Sequence, residues 1–146
     1  MIIIENLYKS YFYGKSKQLI LNNINLRINK GEFVTLVGPS GSGKSTLLNL
    51  LAGIDIPDSG KIIIDGKEIS SLNENQRVLW RRYNIGYIPQ FFYLIQFLNV
   101  LENVEIAARM AKVKNPREKS IEALEKVGLK DKLNRFPSEL SGGEIQ

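Results

Sequence analysis

The sequence reads, at residues 38–46, Gly38-Pro39-Ser40-Gly41-Ser42-Gly43-Lys44-Ser45-Thr46. An apolar run precedes this stretch at residues 33–37 and another follows it at residues 47–51, which predicts a strand, a glycine-rich turn and a helix. Glycines let the turn aim successive backbone N–H groups into one concavity, and the N-terminus of the following helix adds a positive end. This context favours a phosphate-binding loop over the alternative, an ordinary Gly/Ser-rich turn.

Two side chains at the end of this loop suit the chemistry of a nucleotide. Lys44 supplies a point charge for the outer phosphates, and the hydroxyl of Ser45 is a suitable ligand for Mg²⁺. The stretch therefore predicts a protein that binds a nucleotide.

The composition is that of a globular protein. With 146 residues, 43% of them hydrophobic and 24% charged, the chain is long enough to bury a core. It contains no cysteine, which excludes disulfides and thiolate metal sites. It also contains no histidine, so the commonest general base is missing.

The net charge of +5 could indicate a nucleic-acid or membrane partner, but the basic residues are scattered. Only Arg77, Arg81 and Arg82 form a short cluster, and we interpret the excess mainly as solvated surface rather than as a nucleic-acid site. No apolar run approaches the roughly 20 residues that a membrane span needs. We therefore expect a soluble, cytoplasmic protein.

Apolar patterning and capping residues predict a mixed α/β chain whose first half is rich in strands. The predicted strands are residues 2–7, 19–28, 33–37, 62–64 and 85–88, and the predicted helices are residues 44–53, 73–82, 99–113 and 115–128. Asn73 with Gln76, and Asn99 with Glu102, have the spacing of a capping box, and Asn115 before a proline repeats this arrangement.

Two later segments could also serve a nucleotide site. Leu140-Ser141-Gly142-Gly143-Glu144 places a serine and two glycines at a predicted helix N-terminus, which is a second potential anion site. Ile88-Pro89-Gln90 places an amide side chain at the end of a predicted strand. Either segment alone indicates little, since a Ser-Gly-Gly sequence is usually only a turn.

In this order, the segments resemble the motifs of the ATP-binding subunit of ABC transporters over nearly the whole chain. Residues 38–46 resemble the Walker A motif, residues 140–146 resemble the signature motif, and Gln90 matches the glutamine of the Q-loop. Tyr11 lies where the family's A-loop aromatic residue stacks on adenine, with Phe12 and Tyr13 as close competitors. Residues 86–104 are similar to the bacterial lipoprotein-release and macrolide-export subgroup.

The resemblance implies an α/β fold, namely a P-loop NTPase core with an antiparallel β subdomain and a helical subdomain, incomplete at the C-terminus. Residues 1–90 would form the β-rich part with the Walker A motif and the Q-loop. Residues 91–146 would form the helical subdomain up to the signature motif.

The resemblance also implies the role of each motif. ATP and Mg²⁺ would bind at residues 38–46, with Lys44 and Gln90 as catalytic residues and with Ser45 and Gln90 at the metal. In a head-to-tail dimer, the signature residues of a second ATP-binding subunit would cover the nucleotide. These residues are Ser141, Gly142, Gly143 and Glu144.

Residues 91–98, which follow Gln90, are almost entirely apolar or aromatic. They fit either burial in the core or, as the resemblance implies, a dock for a transmembrane permease near Gln90–Leu98. Gln96 and Phe97 depart from the subgroup, which more often has proline and a basic residue there.

With a permease as its partner, the protein would lie on the inner face of the plasma membrane and power export or lipoprotein release. The alternatives are a soluble ABC-type ATPase of DNA repair or translation and a non-hydrolytic ATP-binding fragment.

The family's Walker B aspartate-glutamate pair and its switch histidine have no counterpart in these 146 residues. We therefore interpret the chain as a truncated version of a longer ATPase. We expect it alone to bind ATP weakly at best, to be inactive in hydrolysis and to fold poorly, because sheet edges would remain unpaired.

Overall fold

The computed structural model describes residues 1–146 and divides into two compact units, Met1–Gly86 and Tyr87–Gln146. The first unit contains β1 (Ile2–Tyr13), β2 (Ser16–Ile28), α1 (Lys44–Leu51), β3 (Ser59–Ile64), β4 (Lys67–Glu68) and α2 (Glu74–Asn84). The second contains α3 (Val100–Met110), α4 (Pro116–Lys126), α5 (Gly142–Ile145) and two short 3₁₀ turns, Lys130–Lys132 and Pro137–Glu139. The assignment of residues 1–90 and 91–146 to the two family subdomains stays a prediction.

The sheet of the first unit is antiparallel and has the strand order β2-β1-β3-β4. β1 and β2 form a long hairpin, so both strands extend well beyond the predicted residues 2–7 and 19–28 toward the turn at Gly14. The turn between β3 and β4 has positive φ at both Asp65 and Gly66, 47° and 80°. Such a two-residue turn matches the twist of the flanking strands, as the Asp-Gly pair predicts.

One face of this sheet and two helices bury the core of the first unit. Leu47 and Leu50 of α1 pack with apolar side chains of the strands and with Trp80 of α2. The remaining members of this core are Ile4, Leu7, Leu21, Ile62 and Ile69. Because Leu47 and Leu50 are in the core, α1 is held by its apolar stripe, which fixes the loop at its N-terminus against the sheet.

Two predicted strands are absent. Residues 33–37 and 85–88 are not strands, and the side chains of Phe33 and Val37 are 96% and 81% exposed. Their apolar composition is that of a strand in the interior of a sheet, but a strand forms only where a neighbouring strand accepts its backbone hydrogen bonds. No other segment pairs with residues 33–37 in this structure.

In the second unit, α3 and α4 pack through Val100, Leu101 and Leu124. The predicted capping box at the start of α3 is confirmed, since Asn99 and Glu102 bond each other's backbone N–H. The predicted start of α4, with Asn115 as the cap residue and Pro116 in the first turn, is confirmed. The expected side-chain cap is absent, because Asn115 adopts the left-handed conformation and its side chain instead donates to the Glu118 carboxylate at 2.9 Å. None of the helices has both the length and the apolar character required to cross a membrane.

Candidate nucleotide-binding site

The loop at residues 38–46 leads directly into α1, which begins at Lys44. Gly43, immediately before the helix, has φ 88°, a conformation that side chains other than glycine rarely adopt. A Cβ atom there would lie 2.9 Å from Leu21 Cδ2 and 3.0 Å from Ile20 Cγ2. The loop can therefore pack this closely on β2 only with glycine at position 43.

The ammonium group of Lys44 lies inside the loop. It donates to the carbonyl oxygens of Gly38 and Pro39 at 2.8 and 2.6 Å, and it is 3.4 Å from Ser42 Oγ. The first turn of α1 contains no acidic residue that would neutralise its positive end. A lysine cation and a helix N-terminus thus share one glycine-rich loop, an arrangement that attracts a polyphosphate.

Tyr11 of β1 lies beside the first turn of α1. Its hydroxyl donates to Asp55 Oδ2 at 2.6 Å and also forms a hydrogen bond with the side chain of Thr46. Burial, followed by the hydrogen bond to Asp55, raises the pKa of Tyr11, while the hydrogen bond with Thr46 acts in the opposite direction. Among the predicted residues, the structure therefore brings Tyr11 together with the phosphate loop.

The two competing aromatic residues of β1 lie in a different environment. The side chains of Phe12 and Tyr13 are 71% and 63% exposed, near the turn of the hairpin. Phe12 has Lys17 Nζ at 5.9 Å from its ring centroid. These positions favour Tyr11 as the adenine contact, although that role stays a prediction.

Asp55 and Lys9 are site residues that the sequence interpretation missed. Lys9 Nζ donates to Asp55 Oδ1 at 2.7 Å and lies 5.0 Å from the centroid of the Tyr11 ring. Burial alone would raise the pKa of Asp55, but the hydrogen bonds from Lys9 and Tyr11 outweigh it and lower this pKa. Lys9 could have been found from the alternation of β1, which places it on the same face as Leu7 and Tyr11.

In the second unit, the signature segment forms the N-terminus of α5. Ser141 is the N-cap residue, and its Oγ accepts from the backbone N–H of Glu144 at 3.4 Å. The Glu144 carboxylate accepts in return from the N–H and the hydroxyl of Ser141, both at 2.8 Å, and these hydrogen bonds lower the pKa of Glu144. Gly142 and Gly143 are exposed, so their backbone N–H groups lie at the surface of the unit.

Gln90 is exposed and belongs to the second unit, as does the signature segment. The exposed side chains that follow Gln90 include Phe91, Tyr93 and Phe97, so core burial is wrong for these rings. Asn103 of α3 holds the end of this segment, because its Nδ2 donates to the carbonyl oxygens of Ile95 and Leu98 at 3.1 and 2.9 Å.

The sequence profile of the ABC transporter family matches residues 21–146, which include both the phosphate loop and the signature segment. The chain belongs to the ABC transporter family.

This ABC-family chain has relatives along its whole length. It is 46% identical, over 100% of its own length, to an uncharacterized ABC transporter ATP-binding protein of Methanocaldococcus jannaschii, and it covers 66% of that protein. It is also 46% identical, over 97% of its length, to the lipoprotein-releasing system ATP-binding protein LolD of Buchnera aphidicola, of which it covers 62%. The chain thus spans just under two thirds of the length of these relatives.

Solved ABC cassettes share its fold. The structure matches a dimeric ATP-binding cassette in a post-hydrolysis state, bound to ADP and Pi, with a TM-score of 0.90 and 36% identity. It matches a dimeric bacterial ABC transporter cassette with a TM-score of 0.91 and 37% identity. In both cases 99% of this chain and 65% of the other are covered. The predicted fold class, an α/β chain of the P-loop NTPase type with an antiparallel sheet and a helical part, is confirmed.

Proposed function

We propose that this chain is the ATP-binding part of a subunit that powers an ABC-type membrane complex for export or lipoprotein release. The observation that carries the proposal is the position of Lys44 Nζ, held by the carbonyl oxygens of Gly38 and Pro39 at the N-terminus of α1. A triphosphate is the ligand that best fits a lysine, a glycine loop and a helix N-terminus in one place. The LolD relatives support lipoprotein release as the process.

Within this site, the hydroxyl of Ser45 and the amide of Gln90 are the proposed ligands of Mg²⁺, and residues 38–46 are the proposed contacts of the phosphates. A bound Mg²⁺ would neutralise charge on the outer phosphate oxygens. Tyr11 is proposed to stack on adenine, since it lies beside Thr46. The family's Walker B pair and switch histidine are not among these 146 residues, so we propose that this chain by itself does not hydrolyse ATP.

The test of the proposal is binding of Mg-ATP to the full chain, measured by titration calorimetry, with and without Lys44→Ala. We expect Lys44→Ala to weaken binding at least about tenfold, because the lysine makes a charge-assisted contact worth more than roughly 1.4 kcal/mol. Lys67→Ala is the matched control, since it removes an exposed lysine from β4 without touching the loop. Equal binding by both variants would refute the proposal. ATP turnover by the full chain that depends on Lys44 would contradict only the part that concerns hydrolysis.

A second copy of the ATP-binding subunit is the proposed partner. Ser141, Gly142, Gly143 and Glu144 would then cover the nucleotide held by the other copy. The dimeric state of the solved relatives supports this, and so do the exposed N–H groups of Gly142 and Gly143 at the start of α5. Sedimentation of the intact subunit with ATP should show a dimer that Ser141→Arg abolishes, and a dimer that persists in this variant would refute the assignment.

A transmembrane permease is the second proposed partner, docked near Gln90–Leu98, which would place the protein on the inner face of the plasma membrane. The exposed rings of Phe91, Tyr93 and Phe97 support an apolar contact. We expect Phe97→Ser to reduce recovery of the permease with the tagged subunit and to leave stability unchanged. Undiminished recovery would argue for the soluble alternative, an ABC-type ATPase without a membrane partner.

A further inference from the structure

The segment that follows α1 turns back over the last turn of the helix. The N–H groups of Ile54 and Asp55 both donate to the carbonyl oxygen of Asn49, at 2.8 and 3.3 Å. The Tyr11 hydroxyl, which bonds both Asp55 Oδ2 and the side chain of Thr46, links the carboxylate of Asp55 to the first turn of α1. Asp55 is therefore close to the phosphate loop in space although it lies beyond the opposite end of α1.

Each oxygen of the Asp55 carboxylate has its own partner on β1. Oδ1 accepts from Lys9 Nζ at 2.7 Å, and Oδ2 accepts from the Tyr11 hydroxyl at 2.6 Å. The backbone N–H of Ile56 also donates to Oδ1, at 2.7 Å, which orients the carboxylate. Both oxygens are thus occupied by protein groups.

Lys9 completes the arrangement. The residue is 8% exposed, and its ammonium group donates to the carbonyl oxygen of Ile56 at 2.7 Å as well as to Asp55. It also lies over the ring of Tyr11, 5.0 Å from the centroid. A cation that is held this firmly against one face of an aromatic ring restricts how the ring can turn.

We propose that Asp55, together with Lys9, is a positioning residue that fixes the ring of Tyr11 with its free face toward the adenine of bound ATP. This inference rests on the proposed function, in which Tyr11 is the adenine contact. Asp55 acts through Tyr11, because both of its carboxylate oxygens already have partners on the protein. It should therefore contribute to recognition of the base and not to that of the phosphates.

The test compares binding of Mg-ATP with binding of Mg-tripolyphosphate, which has the phosphates and no base, to the full chain. We expect Asp55→Asn and Tyr11→Phe each to weaken ATP binding about three- to tenfold and to leave tripolyphosphate binding unchanged, because each removes or weakens the hydrogen bond that orients the ring. Tyr11→Phe keeps both the ring and the carboxylate, so it tests the same contact where Asp55→Asn lowers stability. We expect Tyr11→Ala to abolish the preference for ATP, and Asp55→Asn to have no further effect in that background.

Several results would overturn the inference. These are equal losses for the two ligands in Asp55→Asn, a further loss when Asp55→Asn is added to Tyr11→Ala, or a loss of ATP preference in Phe12→Ala, the matched control from the same hairpin. Equal affinity of the unsubstituted protein for the two ligands would overturn the adenine contact itself, and this inference with it. Loss of both ligands in Lys44→Ala would still support the phosphate site, so failure of the inference and failure of the proposed function are distinguishable.

Discussion

Asn103 of α3 is the side chain whose removal should have the clearest local consequence. Its Nδ2 donates to the carbonyl oxygens of Ile95, Leu98 and Asn99 at 3.1, 2.9 and 3.0 Å, and its Oδ1 accepts from the N–H of Ile95 at 2.8 Å. One half-buried side chain thus bonds backbone groups at both ends of residues 95–98, a segment without regular secondary structure, and the cap residue Asn99. Loss of this side chain removes the partner of the Ile95 N–H and of the Leu98 carbonyl oxygen, whereas the carbonyl oxygens of Ile95 and Asn99 keep backbone donors at 3.1 and 3.0 Å.

The magnitude of the Asn103→Ala effect follows from these contacts. The two hydrogens of Nδ2 and the acceptor Oδ1 allow at most three full hydrogen bonds. At roughly 0.5–1.5 kcal/mol each they set a ceiling of about 4.5 kcal/mol, and water that enters the half-buried site recovers part of it, so we expect a loss of about 2–3 kcal/mol. Because the freed backbone is local, the amide of Ile95 should exchange with solvent about 10- to 100-fold faster. Urea unfolding and hydrogen exchange measure the two quantities.

The matched control is Asn84→Ala, which removes a single hydrogen bond from Nδ2 to the carbonyl oxygen of Trp80 at 2.8 Å. It should cost about 0.5–1.5 kcal/mol and leave the exchange of Ile95 unchanged. Asn103→Asp should destabilise at least as much as Asn103→Ala, since a carboxylate oxygen would then face carbonyl oxygens. The reasoning is refuted if Asn103→Ala costs no more than Asn84→Ala and the exchange of Ile95 remains slow.

Gly43→Ala should destabilise by about 1–3 kcal/mol and weaken ATP binding, because a side chain at positive φ is strained and this Cβ would also lie 2.9 Å from Leu21 Cδ2. Gly66→Ala is the control: it also places alanine at positive φ, 80°, but no atom lies within 4 Å of the new Cβ, so only the backbone strain remains. Equal losses of unfolding free energy in the two variants would contradict the packing argument. Glu105→Gln should make the free energy of unfolding depend less on pH in the acid range. The reason is that hydrogen bonds from Arg109, and then the charges of Arg109 and Arg117, hold the pKa of Glu105 below its ordinary 4.5. A lowered folded-state pKa adds stability that is present above pH 4.5 and is lost as the pH falls through the folded value. An unchanged pH dependence of the unfolding free energy in Glu105→Gln would count against this cause. Glu122→Gln is the comparison: Lys119 also lowers the pKa of Glu122, but this pair is exposed and screened by solvent, so we expect a smaller change.

Local features of the fold could be predicted from the sequence because their partners lie within a few residues. The predicted capping boxes at Asn73 and Asn99 each join groups three residues apart, and both are present. The same is true of the turn at Asp65-Gly66, where two residues must adopt positive φ. The phosphate loop and the signature segment could be recognised for the same reason, since the residues of each motif are contiguous. The order of these motifs along the chain then indicated the family.

Asn115 shows the limit of such local patterns. Its spacing to Glu118 matches that of the other caps, yet it adopts the left-handed conformation, which asparagine tolerates better than most residues, and its side chain forms no cap hydrogen bond. Residues 33–37 fail for a different reason, because apolar composition describes a buried strand and says nothing about which neighbour pairs with it. Pattern alone therefore overstates the number of strands in the first unit.

The sequence by itself determined the family and the residues of the phosphate loop, because a lysine, the two hydroxyl residues that follow it and the glycines that shape the turn are adjacent along the chain. Only the tertiary structure decided that Tyr11 meets Asp55, 44 residues later, and that Lys9 lies against both. The antiparallel pairing of β1 and the reversal of the chain after α1 create these contacts, and neither leaves a local signal in the residues involved. The contacts of Lys44 with Gly38 and Pro39 were likewise visible only once the loop had folded around its own lysine.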